Sequence, residues 1–310
     1  MNTIEQAAHR LAQLRSAGVS ATAEAAIAPV ATAREIHGEP ITLRANAERE
    51  FAAPMFESDS ETGQHDQAVA SPQVNIDLER LSAMGYVSPH APSSRRAEEF
   101  RMVKRPLLNN ARGHSAAPVI NANRIMVTSA LPREGKTFVS INLALSIALE
   151  RDITVLLIDA DATRPAILER LALSPAKGLL DVLSQPDLDV QTVLLRTNVE
   201  RLSILPAGTL QENATELLAS ERMSTLVEKL EARFPNRVLV FDAPPLLGST
   251  ESRVLAAHMG QIVLVIEADR TPQRQVNDAL VTLESCPVVM TLLNKASSSE
   301  AGSYYGSRES

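Results

Sequence analysis

Ala130-Leu131-Pro132-Arg133-Glu134-Gly135-Lys136-Thr137 is the stretch on which the reading of this chain turns. The apolar run before it, Ile125-Met126-Val127-Thr128, has the character of a short buried strand. After it, residues 138–149 are rich in Ala, Leu and Ile at spacings that suit a buried helix. Strand, tight loop, Gly-Lys-Thr and helix is the layout of a phosphate-binding loop. Amide N–H groups at the helix start face the anion, and the helix dipole adds favourable charge. Lys136 is placed to reach the outer phosphates, and the Thr137 hydroxyl to ligand Mg²⁺. The loop opens with Ala130 rather than Gly, so only the relaxed pattern is met. Its weight comes from the flanking strand and helix and from aspartates further along.

Composition narrows the field. The chain has 310 residues, is 45% apolar and lacks Trp, with six Phe and three Tyr. One large domain or two small ones are possible. A net charge of −7 disfavours general attraction to nucleic acid or an anionic membrane. Cys286 is the sole cysteine, which excludes an internal disulfide and suits a reducing compartment. No apolar run reaches bilayer-spanning length and no signal-peptide core opens the chain, so a cytoplasmic location is expected.

The first 18 residues carry Ile4, Ala7, Ala8, Leu11 and Leu14 at helical spacing. An amphipathic helix is expected over 1–18, either packed on its own domain or docked to a partner. From 19 to 73, Ala, Glu, Thr, Ser and Pro dominate without long apolar periodicity, and a disordered linker is expected. Order resumes at Val74, with a short element ending near Gly85. Residues 97–106 read as a helix with Phe100, Val103 and Leu107 on one side and Glu98, Arg101 and Lys104 or Arg105 on the other. That charged face is either a solvated ion-paired surface or a contact between subunits.

Strands and helices alternate from Arg124 onward. Strands are expected at 125–128, 153–158, 202–205, 238–241, 262–266 and 288–293, with helices at 137–150, 223–234 and 272–284. Near-continuous Val/Ile/Leu strands between helices imply an α/β fold with a mostly parallel sheet covered on both faces. In such a sheet ligands bind beyond the carboxyl ends of the strands, and polar residues gather there. The second strand of this region runs into Asp159-Ala160-Asp161, another into Asp242-Ala243-Pro244-Pro245, and the last into Asn294-Lys295.

Mg²⁺ takes one or two carboxylates together with substrate phosphates. Asp242 stands where nucleotide hydrolases carry their second metal-binding aspartate. Asp159 and Asp161, two apart, can send one carboxylate to the metal and the other to an incoming hydroxyl. A single Asp after a strand is ordinarily a turn or N-cap residue; three of them, with a phosphate loop, point to a metal site. The loop residues Pro132 to Phe138 (Pro132, Arg133, Glu134, Gly135, Lys136, Thr137 and Phe138) are the expected nucleotide contacts, although spacing assigns the Arg133 and Glu134 side chains no role. Arg164 either neutralises phosphate charge or pairs with a neighbouring carboxylate. Asn294 resembles the base-reading Asn of other phosphate-loop proteins, and an Asn-Lys after a strand is equally an ordinary turn. No His lies at ligand spacing from Cys or another His, so zinc is not expected.

The last segment, 296–310, is small and polar, yet it holds Tyr304 and Tyr305, two of the three tyrosines. Adjacent phenols in a flexible tail read as acceptors of phosphate.

With these residues in view the chain resembles the bacterial tyrosine autokinases of exopolysaccharide synthesis, P-loop NTPases related to septum-site and partition ATPases. It resembles especially the cytoplasmic kinases associated with exosortase systems. The resemblance covers roughly 74–310 and rests on 130–137, 159–165, 242–245, Leu205-Pro206-Ala207-Gly208 and the tyrosine-bearing tail. It implies a kinase domain over 74–295 that binds ATP and Mg²⁺ through Lys136, Thr137, Asp159, Asp161 and Asp242. It also implies phosphorylation of Tyr304 and Tyr305 by a neighbouring subunit. The family's ring-forming Glu-x-x-Arg-x-x-Arg helix corresponds to Glu98, Arg101 and Lys104, the last departing from the pattern. Many relatives are fused to a membrane-spanning chain-length regulator; here a separate regulator is expected to recruit the kinase to the inner face of the membrane and activate it. Septum-site and partition switches instead carry a second lysine after the first loop residue, where this chain has Leu131.

Overall fold

The computed structural model describes residues 71–234 and 236–296. The expected N-terminal helix, nearly all of the linker, and the tail with Tyr304 and Tyr305 lie outside the described residues.

Eight strands form one sheet: β1 (Gln73–Val74), β2 (Arg124–Ser129), β3 (Thr154–Asp159), β4 (Leu195–Thr197), β5 (Leu202–Leu205), β6 (Arg237–Asp242), β7 (Gln261–Glu267) and β8 (Val288–Asn294). Their spatial order is β1-β4-β5-β3-β6-β2-β7-β8, and every pairing is parallel except β4 with β5. The helices are α1 (Leu78–Ala83), α2 (Arg95–Ala111), α3 (Lys136–Ala148), α4 (Ile167–Arg170), α5 (Leu179–Ser184), α6 (Ala214–Leu218), α7 (Glu221–Ala232), α8 (Thr250–Ala256) and α9 (Gln273–Val281).

Alternation explains why the central strands are apolar throughout. Val127, Val155, Leu157 and Val240 pack with α2 and α3 on one face. Met126, Leu156, Ile158, Leu239 and Phe241 pack with α7, α8 and α9 on the other. Both faces are covered, so neither set of alternating residues meets water. The six strands expected from the sequence are present, and the sheet is mostly parallel. The short strands β1 and β4 were not expected, because two or three residues carry no measurable period.

Two findings revise the reading of α2. The helix continues through Pro106 to Ala111. A proline inside a helix costs about 3 kcal/mol, but Leu107 and Leu108 beyond it are both buried, each contributing roughly 1.5–3 kcal/mol. Lys104 does not face outward as a subunit contact. It is only 5% exposed, and its Nζ donates to the Ser146 carbonyl at 2.6 Å and pairs with Glu150 at 2.7 Å. The position falls on the apolar side of the helix, and the lysine ties α2 to the end of α3. Glu98 and Arg101 pair with each other along the helix surface, while Arg105 is exposed.

Candidate nucleotide-binding site

The loop between β2 and α3 is shaped by two left-handed residues, Arg133 (φ 71°) and Gly135 (φ 99°). Gly135 is the N-cap of α3, with no side-chain cap. A Cβ there would be strained by the positive φ and would collide with the Asn294 side chain. Among the described residues, the amides of Gly135, Lys136, Thr137 and Phe138 donate to no backbone carbonyl outside α3. Successive amides in such a turn form a concavity for an anion.

The carboxyl ends of β3 and β6 supply the carboxylates side by side, with Asp159 and Asp242 as register partners. All three aspartates are buried. Asp161 Oδ2 accepts from Lys136 Nζ at 2.7 Å, and its Oδ1 accepts from the Thr163 hydroxyl at 2.8 Å and the Arg164 amide at 2.9 Å. Asp159 Oδ2 accepts from the amides of Ala166 and Ile167, both at 3.0 Å, and so anchors the start of α4. Asp242 Oδ1 accepts from the Ser140 hydroxyl at 3.0 Å. Its Oδ2 is buried and, among the described residues, has no hydrogen-bond partner.

These surroundings shift the acids. Burial, then the charge on Asp242, pushes Asp159 up to about 7, with the Ile167 and Ala166 amides pulling it back. Burial pushes Asp242 up to about 6, opposed by Lys136 and by the Thr137 and Ser140 hydroxyls. An orphaned carboxylate oxygen beside a hydroxyl is a hard-oxygen donor set of the kind Mg²⁺ prefers. Asp242 and Thr137 are therefore the residues that fit a divalent cation. Among the described residues no three His, Cys, Asp or Glu side chains form a metal cage by themselves.

The other expected residues fall around this core. Pro132 and Arg133 are exposed. Glu134 is 2% exposed; its carboxylate accepts from the Leu131 amide at 2.7 Å and from the Thr271 hydroxyl. The Phe138 ring packs 4.9 Å from Tyr86, with the Arg96 guanidinium 5.3 Å from its centroid, so its side chain serves the core. Asn294 Nδ2 donates to the Glu134 carbonyl at 2.8 Å. The Leu205-Pro206-Ala207-Gly208 loop caps α5, its Pro206 and Ala207 carbonyls accepting from Leu179 and Leu180 at 2.8 and 2.9 Å.

Sequence reasoning missed Thr271, Ser140 and Thr163. Thr271 lies 137 positions from its partner Glu134, and no local spacing marks it. A cleft of about 400 Å³, lined by Thr163, Leu247, Ser249, Glu251 and Arg253 among others, opens beside Thr163, whose hydroxyl donates to Asp161.

A glycine-capped helix start, a lysine and a buried acid with a free oxygen, all at the carboxyl edge of a parallel sheet, define a phosphate-loop nucleotide-binding domain. The family described as AAA domain matches residues 133–285. The chain is 32% identical over 196 residues to the tyrosine-protein kinase CpsD of Streptococcus agalactiae, covering 60% of this chain and 83% of that one. It is 29% identical over 223 residues to the tyrosine-protein kinase YwqD of Bacillus subtilis, covering 70% and 90%. The crystal structure of the VpsO kinase domain superposes with a TM-score of 0.52 at 31% identity, covering 66% of this chain and all (100%) of that one. The chain belongs to the family of bacterial tyrosine-protein kinases. Some relatives are much longer: it spans 29% of the succinoglycan biosynthesis transport protein ExoP of Rhizobium meliloti, at 32% identity over 252 residues and 77% of this chain. No described helix is long and apolar enough to cross a membrane.

Proposed function

We propose that this chain is an ATP- and Mg²⁺-dependent protein tyrosine autokinase that phosphorylates Tyr304 and Tyr305 of a neighbouring copy and thereby regulates exopolysaccharide polymerisation or export. The observation that carries the reading is the convergence of Lys136, Asp161 and the open Asp242 oxygen on the glycine-capped start of α3. Family membership and the two adjacent tail tyrosines support it.

In this reading the α3 amides and Lys136 would hold the triphosphate, and Asp242 and Thr137 would hold Mg²⁺, which would supply charge neutralisation of the phosphates. The cleft beside Thr163 admits the acceptor phenol. The phenolic oxygen bonds to the γ-phosphorus, the bond from that phosphorus to the β–γ bridging oxygen breaks, and ADP leaves. The phenolic proton passes to Asp161. Lys136 shifts from Asp161 toward the phosphates as nucleotide enters, which frees the carboxylate to take that proton. A separate membrane-spanning chain-length regulator serves as activator and brings the kinase to the membrane. Pairing of Glu98 with Arg101 on an exposed helix face leaves Arg105 to carry the cationic part of any ring contact.

Purified full-length chain incubated with ATP and Mg²⁺, and mapped by mass spectrometry, tests the reading. Phosphate is expected on Tyr304 and Tyr305, and Lys136→Met is expected to lower the signal by about 10³-fold or more, a loss of about 4 kcal/mol in transition-state stabilisation. Absence of phosphotyrosine even with the regulator's cytoplasmic segment present would leave a nucleotide-driven switch without kinase activity.

A further inference from the structure

The side of the phosphate loop away from the aspartates is held by residues from the ends of β7 and β8. Asn294 Nδ2 donates to the Glu134 carbonyl, and Lys295 Nζ donates to the Arg133 carbonyl, each at 2.8 Å. Lys295 is itself held by Glu267 at 3.1 Å. The Glu134 carboxylate joins the Leu131 amide to the Thr271 hydroxyl.

In a trans peptide the carbonyl and the N–H of one plane point in opposite directions. A donor on the Arg133 carbonyl therefore sets the direction of the Glu134 amide, and a donor on the Glu134 carbonyl sets that of the Gly135 amide. Both carbonyls are drawn to the β8 side, so both amides turn to the opposite side. Gly135 is where this matters most, because its backbone is left-handed and, among the described residues, its amide donates to no backbone carbonyl outside α3.

We propose that Asn294 and Lys295 are positioning residues of the phosphate cradle: by holding two loop carbonyls they aim the Glu134 and Gly135 amides at the phosphates. Asn294 then acts through the loop backbone and does not read the base. This rests on the nucleotide-binding reading above and deepens it.

The two roles for Asn294 separate by ligand. A base contact serves ATP alone, whereas an aimed amide serves any polyphosphate. Calorimetric titration of the full chain, with Mg²⁺, uses ATP, GTP and inorganic tripolyphosphate as probes. Asn294→Ala is expected to weaken all three by the same factor, about 10-fold, the size of one lost hydrogen bond to a preorganised loop. Lys295→Ala is expected to weaken all three by about 3-fold, as befits a more exposed donor, and Lys295→Arg to restore them. Melting temperatures of the Lys295 variants should stay at the wild-type value. Loss confined to ATP in Asn294→Ala, or unchanged affinity for all three ligands in Lys295→Ala and Asn294→Ala, overturns the proposal. If Asn294→Ala does not fold, the exposed Lys295 pair decides alone. Wild-type chain that binds none of the three probes sinks the nucleotide reading itself, and this inference with it.

Discussion

The two flanks of the phosphate loop are built on opposite terms. On the β7–β8 flank Glu134, Thr271, Asn294, Lys295 and Glu267 each have a hydrogen-bond or ionic partner. On the β3–β6 flank Asp242 keeps an oxygen with no partner among the described residues, and burial raises both Asp159 and Asp242. Satisfied polar groups rigidify; unsatisfied ones lower stability and are retained where they serve a ligand. One flank is satisfied internally, and the other is not.

Asp242→Asn gives the largest contrast between the flanks. It is expected to weaken Mg²⁺-dependent nucleotide binding by about 100-fold, the scale of losing a charge-assisted metal contact. The melting temperature of the nucleotide-free protein should hold or rise, because a buried ionisable group is replaced by a neutral amide. A clear fall in melting temperature would remove the idea that this flank is strained in the absence of ligand.

Glu134→Ala should do the reverse on its flank. It leaves the Leu131 amide and the Thr271 hydroxyl without their acceptor, so a stability loss of about 2 kcal/mol is expected by denaturant titration. Thr271→Ser should retain most of the stability, since the hydroxyl remains. An Ala variant as stable as wild type would show that the brace holds nothing.

The last comparison is a pH trend. Burial holds the Asp159 and Asp242 pair above the ordinary carboxylate value of roughly 4 in the unfolded chain, towards neutrality. Between these limits the folded state holds more protons, so stability of the nucleotide-free protein is expected to fall as pH rises from roughly 4 to 7 and then to level. Melting temperatures measured in chelator across that range check it. Asp159→Asn should flatten the slope, and an unchanged slope in that variant would assign the trend to other groups.

Much of the fold was legible because the buried strands are marked twice, by apolar runs and by the helices between them. The loop at 130–137 was legible because Gly-Lys-Thr at a helix start combines a backbone and a side-chain requirement in adjacent residues. Lys104 was misread for a physical reason: three- and four-residue spacing gives two neighbouring faces, and only packing against α3 tells which one is buried. The extension of α2 past Pro106 depended on Leu107 and Leu108 finding a core, which no local propensity reports. Glu134 received no role from its spacing because its partner Thr271 arrives from the distant loop after β7.

The amino-acid sequence by itself determined the strand–loop–helix unit, the parallel sheet and the gathering of aspartates at one edge, since each is written in short-range order. Which of those aspartates keeps an open oxygen, which lysine is buried, and which way the loop peptides turn were decided only by the tertiary structure. Those properties belong to pairs of residues far apart in the chain, whose energies exist only once the sheet has brought them into contact.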